Sequence, residues 1–155
     1  MSESVTAPTG PRAEVVDEPG MPTPVPEVAP ELAEFWAATS EGRLLLRRCT
    51  ACGEAIWYPR PICPFCHSTA TVWEQASGSG HVYTFSVVRR GIGAYADAPY
   101  VLAYVELAEG PRVMTNIVDC DLDSVRIGQE VELVFHRASE STALPRFRPV
   151  TRSGA

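Results

Sequence analysis

The chain has 155 residues and a mass of 16.8 kDa, with 45% apolar and 21% charged residues, a composition typical of one globular domain or of a small domain with a satellite module. No apolar run reaches about 18 residues, which excludes a membrane-spanning helix, and residues 1–20 lack the basic and apolar regions of a secretory signal. We therefore expect a cytoplasmic protein.

The net charge of −6 is concentrated in the first part of the chain. Residues 1–42 hold eight acidic residues and one arginine, whereas residues 43–155 hold 11 acidic residues and 12 arginines. Proteins that bind nucleic acids usually carry a clear basic excess, because neutralised phosphates supply much of their affinity. The nearly neutral body argues against such a partner. Lysine is absent, so every basic side chain is a guanidinium suited to forked contacts with carboxylates or phosphates.

The two ends of the chain are predicted to be tails. Residues 1–26 contain six of the 14 prolines and few large apolar side chains. Such a segment cannot bury enough surface to offset the entropy of ordering it. We predict a disordered Pro-rich tail over residues 1–26 and a short C-terminal tail over residues 151–155.

Residues 27–42 are predicted to form an N-terminal helix. Pro30 suits a first helical turn, and a glycine follows at the expected end. Leu32, Phe35 and Trp36 have the spacing of one apolar stripe. That stripe either packs on the chain's own body or docks a partner, and both interpretations stay open at this point.

Four cysteines dominate residues 43–75. They form two CxxC pairs separated by ten residues, namely Cys49 and Cys52, then Cys63 and Cys66. Each pair can present two thiolates from one tight turn, and two such turns complete a tetrahedral metal site. Zinc is the default metal, and four protein ligands leave no open position, so the site is predicted to be structural. The segment is predicted to be a zinc ribbon.

Two other arrangements of the same cysteines are possible. Paired disulfides are uncommon in the cytoplasm, and iron in a similar S4 site has comparable geometry. Cys120 stands apart in a predicted loop and is interpreted as an unpaired thiol. His67 follows the last ligand directly and is surplus to a four-thiolate site.

Beyond the ribbon the chain is predicted to be a five-stranded OB-fold barrel over residues 76–150. Short segments rich in Val, Tyr, Phe, Leu and Thr alternate with turn residues. Five short strands in some 75 residues suit a closed barrel better than a sheet with exposed edges. The predicted strands are 81–89, 100–107, 112–118, 130–136 and 144–150. The fold class is therefore mainly β.

No self-sufficient active site is evident. The chain has neither a Gly-x-Ser-x-Gly turn nor a phosphate-binding loop, and no lysine. His81 and His136 lie within predicted strands and are interpreted as ordinary hydrogen-bonded histidines. The acidic residues at 119, 121 and 123 lack the remaining ligands of a calcium loop, so a solvated turn is predicted there.

The motifs taken together resemble a known family. They are Glu41-Gly42-Arg43-Leu44, Arg48-Cys49-x-x-Cys52-Gly53, Tyr58-Pro59-Arg60-Pro61-x-Cys63-Pro64-x-Cys66, Gly78-x-Gly80-x-Val82-Tyr83-Thr84-Phe85, Ala98-Pro99-Tyr100-Val101 and Ile127-Gly128-Gln129-Glu130-Val131. Over residues 28–150 the chain resembles the acyl-CoA-associated zinc-ribbon/OB-fold proteins, long catalogued as a domain of unknown function. Its cysteine spacing is shared with many ribbons, but the combination with the downstream motifs is specific.

The resemblance implies a non-catalytic companion subunit holding one structural Zn²⁺. Its implied partner is a thiolase, a thiolase-like aldolase or a MaoC-like hydratase, with the acyl-CoA held mainly by that partner. In actinobacterial steroid catabolism, such proteins accompany a sterol-carrier-protein-X-type thiolase that cleaves a side-chain acyl-CoA by a retro-aldol reaction. A heterotetramer is expected, because thiolases are commonly dimers. The alternatives are a MaoC-like hydratase or ordinary thiolase partner, a single-stranded nucleic-acid-binding protein, and a free-standing enzyme.

Candidate contacts to the partner or to CoA follow from side-chain chemistry. Guanidinium groups suit phosphates and carboxylates, and interface cores favour aromatic residues. The candidates are Phe35, Trp36, Arg47, Arg48, Trp57, Tyr58, Arg60, Phe65 and Tyr100. For each of them, a solvated or core-packing role is an equally open interpretation.

Overall fold

Nine strands and one α-helix make up the computed structural model, which describes residues 10–97 and 99–152. The elements are β1 (Val15–Val16), α1 (Ala33–Ser40), β2 (Leu45–Cys49), β3 (Ala55–Ile56), β4 (Thr71–Gln75), β5 (Ser79–Val88), β6 (Tyr100–Leu107), β7 (Arg112–Ile117), β8 (Glu130–Arg137) and β9 (Ala143–Pro149). Short 3-10 turns lie at Pro30–Leu32, Gly93–Tyr95 and Leu122–Ser124. Among the described residues, no helix is long and apolar enough to span a membrane.

Strands β5 to β9 close into a barrel. Their order is β8-β5-β6-β7-β9, and a further β8–β9 pairing joins the two ends. The β7–β9 pairing is parallel and the other barrel pairings are antiparallel. Closure leaves no free edge, and this is the five-stranded OB-like barrel predicted from the sequence.

Gly80, near the start of β5, lies where two barrel strands approach each other closely. A Cβ atom added at Gly80 would lie 2.6 Å from the Glu106 carbonyl oxygen on β6. Only glycine allows the backbones of β5 and β6 to come this close at the start of the barrel.

Strands β2, β3 and β4 form the sheet of the ribbon. The central strand β2 pairs with both neighbours in antiparallel register, so that Arg47 lies opposite Ile56 on β3 and Trp73 on β4. Leu45 and Leu46, at the start of β2, are buried in the barrel core. Strand β2 therefore links the ribbon directly to the barrel.

Helix α1 packs on the chain's own body. It is shorter than the predicted 27–42 segment, because a 3-10 turn precedes it. Phe35 and Trp36 are buried, and Thr39 joins the helix to β9. Its hydroxyl donates to the Trp36 carbonyl at 2.6 Å and accepts from the Ala143 N–H at 3.0 Å. The apolar stripe thus contributes to the core.

The segment of residues 13–23, here called the strap, differs from the predicted disordered tail. Its strand β1 pairs in parallel with β8, with Val15 opposite Phe135. The Ala13 N–H donates to the Gly42 carbonyl at 2.8 Å. Residues 1–9 of the predicted tail, Ala98 of the family motifs, and residues 153–155 lie outside the described residues.

Charge explains why the strap is ordered despite its composition. Asp17 accepts a hydrogen bond from Arg137 at 2.5 Å, and Glu14 accepts one from Arg148 at 2.7 Å. Backbone pairing, these ion pairs and the packing of Ala13 and Val15 against the core together stabilise the strap. A composition argument counts only the apolar burial and so predicts disorder.

Candidate metal centre and aromatic groove

The sulfur atoms of the four predicted ligands converge in the ribbon. All four Sγ atoms lie within 4.8 Å of one another, with Cys49 and Cys66 3.6 Å apart and Cys52 and Cys63 3.7 Å apart. Sulfurs placed about 2.3 Å from a tetrahedral zinc ion are about 3.8 Å apart. Disulfide sulfurs would be about 2.05 Å apart. The geometry therefore fits a metal site and excludes the disulfide alternative.

The two CxxC turns share one backbone geometry despite their different sequences. The Gly53 N–H donates to the Cys49 carbonyl, and the His67 N–H donates to the Cys63 carbonyl, both at 2.9 Å. The residue after the second cysteine has φ of 81° at Gly53 and 61° at His67. His67 therefore occupies the turn position that a glycine holds in the first pair, and it is not needed as a ligand.

Backbone N–H groups favour thiolates at the site. Those of Cys52 and Ala51 lower the pKa of Cys49 to about 7, against the opposing effect of desolvation. At Cys52 the Glu54 N–H also lowers the pKa, but desolvation and the neighbouring thiols outweigh it and raise the pKa to about 12. Crowded thiolates repel one another, so all four ionise only around a cation.

The donor set and its geometry fit one structural zinc ion bound by Cys49, Cys52, Cys63 and Cys66. With four thiolates as ligands, no coordination position is left for water or a substrate. The metal therefore holds the two CxxC turns together and supplies no catalytic water. The cysteine spacing alone predicted this site.

Four aromatic rings meet where α1 reaches the ribbon. The Phe35 ring lies edge-on to Trp36, Trp57 and Tyr58, with centroid distances of 5.0, 5.7 and 5.6 Å. The Trp57 and Tyr58 rings are 5.4 Å apart. Edge-to-face aromatic pairs add stability beyond area burial. The structure thus brings four of the predicted contact residues together, and we call them the aromatic cluster.

The aromatic cluster lines a groove with a volume of about 350 Å³. Barrel residues supply the rest of the lining, including Tyr95, Met114, Leu144 and Arg146. Met114 is 61% exposed and Tyr58 is 37% exposed, so the groove opens to solvent. Burial raises the pKa of Tyr58, although the Trp36 indole acts in the opposite direction. The groove is a mainly apolar surface with few charges.

Sequence reasoning missed Arg146, which is only 2% exposed. Its Nη1 lies 2.7 Å from Nδ1 of His136 and donates to Thr23 Oγ1 at 3.0 Å, and its Nη2 donates to the Pro22 carbonyl at 2.6 Å. His136 is thus hydrogen-bonded, as predicted. The strap residues lie more than a hundred positions away in sequence, so no local pattern identifies this network.

Two of the candidate arginines are engaged within the ribbon. Arg48 makes a two-pronged ion pair with Glu74, with donor–acceptor distances of 2.7 and 2.9 Å. The Arg47 guanidinium lies 3.9 Å from the Trp73 ring centroid, and burial lowers its pKa. Strand pairing of β2 with β4 brings these side chains together.

The remaining candidates are more dispersed. Arg60 is exposed, with its Nε 3.3 Å from the Tyr58 carbonyl. Phe65 is 62% exposed in the second CxxC turn. Tyr100 lies outside the groove lining, with its ring 5.3 Å from Tyr95.

The remaining residues that the sequence analysis interpreted as non-catalytic have structural roles. His81 lies 3.5 Å from Glu106 on the neighbouring strand. Asp121 accepts from the Asp123 N–H at 3.1 Å and so caps a 3-10 turn. Cys120 is a free, partly buried thiol whose pKa is raised by burial and by the two flanking aspartates. A raised pKa makes a thiol a poor nucleophile at neutral pH.

Family models match both parts of the chain. The model of the ChsH2 rubredoxin-like zinc ribbon domain matches residues 36–72, and that of the ChsH2 C-terminal OB-fold domain matches residues 73–136. The two matches are adjacent and extend from α1 to β8. A chain of the solved structure described as the Ltp2-ChsH2(DUF35) aldolase is 36% identical, with a TM-score of 0.72. That match covers 81% of this chain and 98% of the other.

Curated relatives carry several kinds of name. A DUF35 domain-containing scaffold protein of Methanothermobacter thermautotrophicus is 44% identical over 95 residues, which is 60% of this chain and 71% of the relative. A probable enoyl-CoA hydratase alpha subunit of Thermomonospora curvata is 36% identical over 126 residues, which is 81% of this chain. The chain spans only 40% of the length of that second relative.

Proposed function

Because the chain belongs to the DUF35 family of ChsH2-type zinc-ribbon/OB-fold proteins, we propose that it is a non-catalytic subunit of an acyl-CoA-processing complex. Its partner is a thiolase-like aldolase, and the reaction is retro-aldol cleavage of an acyl-CoA. One observation is the main support for this proposal. The 36% identity to a chain of the Ltp2-ChsH2(DUF35) aldolase extends over 98% of that chain.

The chemistry of the described residues supports an auxiliary role. The zinc site has four thiolate ligands and no open position. His136 is engaged with Arg146, and the Cys120 thiol has a raised pKa. None of these groups is an activated nucleophile beside a base, so the partner supplies the reacting groups.

The aromatic groove is the surface that best suits the partner. Buried aromatic side chains with an exposed edge are typical of protein interfaces, and Tyr58 and Trp57 supply such edges here. Phe65 and Arg60 lie at the exposed surface of the ribbon and are proposed as further contacts to the partner or to CoA. Arg47 and Arg48 support the ribbon sheet from within.

The finer parts of the proposal follow from the family resemblance. They are a steroid side-chain acyl-CoA as substrate, a sterol-carrier-protein-X-type thiolase as the aldolase, an assembly of two copies of each chain, and a cytoplasmic location. The acyl-CoA is held mainly by the partner. Each of these is a prediction that reconstitution can test.

The proposal is tested by producing this chain together with a thiolase-like aldolase subunit from the same genome. We expect a stable complex, with subunit numbers given by native mass spectrometry, and retro-aldol cleavage of a β-hydroxy acyl-CoA only when both chains are present. Cys63→Ser should lose zinc and activity together, whereas Cys120→Ser should keep both. Equal activity of the aldolase alone would contradict the proposal.

A hydratase partner is the second candidate, favoured by the relative named as an enoyl-CoA hydratase alpha subunit. In that case the chain would assemble with a MaoC-like subunit and support addition of water to an α,β-unsaturated acyl-CoA. The two candidates predict different substrates for the same accessory chain. Parallel assays with a β-hydroxy acyl-CoA and an enoyl-CoA, each with its own partner, separate them.

A further inference from the structure

Arg146 is a buried cation whose described partners are all neutral. Its guanidinium contacts an imidazole nitrogen, a hydroxyl oxygen and a backbone carbonyl, belonging to His136, Thr23 and Pro22. Among residues 10–97 and 99–152, no carboxylate lies within salt-bridge distance of it. Burying an unpaired charge is costly, and buried charges are normally paired. Arg146 therefore lacks the counter-ion expected at such a site.

Neighbouring arginines on the same two strands show the usual arrangement. Arg148, two residues further along β9, pairs with Glu14 and Glu132 at 2.7 and 2.9 Å. Arg137 on β8 pairs with Asp17. These arginines have carboxylate partners although they are more exposed than Arg146. Arg146 differs from these two arginines in position, because it is the one arginine among the described residues that lines the groove.

Three other polar groups in the groove have partners within the chain, whereas the buried Trp36 Nε1 has none among the described residues. The Thr115 hydroxyl donates to the Pro145 carbonyl at 3.0 Å, and the Asn116 amide donates to the Val101 carbonyl at 3.0 Å. The Tyr95 hydroxyl donates to the Pro22 carbonyl at 3.2 Å. Arg146 is the one charged side chain among the described lining residues. A ligand that complements this groove is thus mainly apolar with a single negative charge.

We propose that the groove receives an Asp or Glu side chain of the partner subunit, flanked by apolar residues, and that Arg146 is its counter-ion. The identity of the partner rests on the proposed function, whereas the preference for a carboxylate rests on the groove itself. Ligand pockets have volumes of about 300–1,000 Å³, and this groove is at the small end with about 350 Å³. That space suits a few side chains better than a whole acyl-CoA.

A small carboxylate tests the groove without the partner. 3-Phenylpropionate and its neutral amide, 3-phenylpropionamide, are added separately to the full zinc-loaded chain, and the indole N–H resonances of Trp36 and Trp57 are followed by NMR. We expect saturable shifts with the carboxylate and at least about tenfold weaker binding of the amide. Equal binding of the two probes, or no binding of either, would overturn the proposal.

Two matched variants link the effect to Arg146. Arg146→Met should abolish the preference for the carboxylate, while Arg148→Met on the same strand should keep it. Thermal unfolding and zinc content show whether each variant is folded. Retention of the preference in a folded Arg146→Met protein would also overturn the proposal.

A second pair of variants tests whether a side chain of the partner subunit occupies the groove in the complex. These variants are at an exposed position, so they avoid any folding defect of Arg146→Met. Met114 lines the groove and is 61% exposed. Met114→Glu adds a competing carboxylate and should weaken assembly with the aldolase at least about tenfold, whereas the neutral Met114→Gln should weaken it at least about fivefold less. Probe binding with unchanged assembly of Met114→Glu would indicate a small-molecule carboxylate and overturn a protein occupant. Failure of wild-type assembly would instead contradict the proposed function, and the NMR experiment would still decide the groove.

Discussion

The ribbon and the barrel maintain their structures in different ways. The buried cluster of the ribbon consists of Cys49, Ile56 and Cys63, whereas the barrel shares a cluster of 20 buried residues with α1 and β2 among the residues described. A module with so small an interior cannot offset chain entropy by apolar burial and needs a cross-link. Metal binding therefore replaces a core in one half of the protein, and apolar packing provides it in the other.

Removing the metal should separate the stability of the ribbon from that of the barrel most strongly. Structural zinc contributes on the order of 10–16 kcal/mol of binding free energy to small ribbons, so a chelator or Cys63→Ser should unfold the ribbon and leave the barrel folded. Hydrogen exchange should increase over residues 49–70 and stay slow over β6. Protection of both regions in metal-free protein would show that the ribbon has a stabilising interior after all.

Truncating the barrel core should have the next largest effect, in the other region. Phe147 is fully buried on β9, and Phe→Ala at such positions costs about 3–5 kcal/mol because a cavity remains. Phe147→Ala should lower the midpoint of denaturant unfolding while the folded fraction still binds one zinc ion per chain. A loss below about 1 kcal/mol would mean that the core relaxes around the cavity.

Acid should weaken the barrel through His136. Burial and the charge of Arg146 lower the pKa of His136 below its ordinary value of 6.5. The unfolded chain therefore binds this proton at a higher pH than the folded chain. The stability contribution is complete above pH 6.5 and is lost as pH falls toward the folded pKa, at no more than about 1.4 kcal/mol per pH unit for one proton.

Urea unfolding of zinc-loaded protein between pH 7.5 and 5 measures this dependence. His136→Gln should reduce the slope. An unchanged slope in His136→Gln would assign the pH dependence to another group.

The smallest expected effect concerns the two CxxC turns. His67 has a left-handed backbone conformation that suits glycine, at a cost of about 1 kcal/mol for a larger residue. His67→Gly should tighten zinc binding by about fivefold in a chelator competition assay. Gly53→Ala should act in the opposite direction, because Gly53 has the matching conformation. Changes of the same sign in both variants would contradict equivalent turns.

The sequence predicts those parts of the molecule that depend on nearby residues. The zinc ligands are identified by their spacing, and the barrel strands by alternation and turn residues. The strap and the Arg146 network could not be found in this way, because their partners are 120 to 134 residues apart. Long-range contacts leave no periodicity. One indirect indication was present, since an acidic N-terminal region and arginine-rich final strands are complementary in charge.

Within the ribbon, the sequence also could not show which of the candidate contact residues are already paired. Residue type alone made Arg48 and Arg60 equivalent as candidates. Strand register distinguishes them, because Arg48 lies beside Glu74 across the β2–β4 pairing, whereas Arg60 is in an exposed turn. Whether an arginine is free to bind another molecule therefore depends on pairing that composition does not reveal.

The pairing of the strap with β8 and β9 also sets an order for events during synthesis. Asp17 and Glu14 leave the ribosome before Arg137 and Arg148, which are 120 and 134 residues further along. At about 5–20 residues per second, the delay is on the order of ten seconds. During translation the strap therefore remains unpaired until β8 and β9 have been made. A nascent chain stalled before β8 would leave the strap open to protease, while the ribbon could already hold its metal.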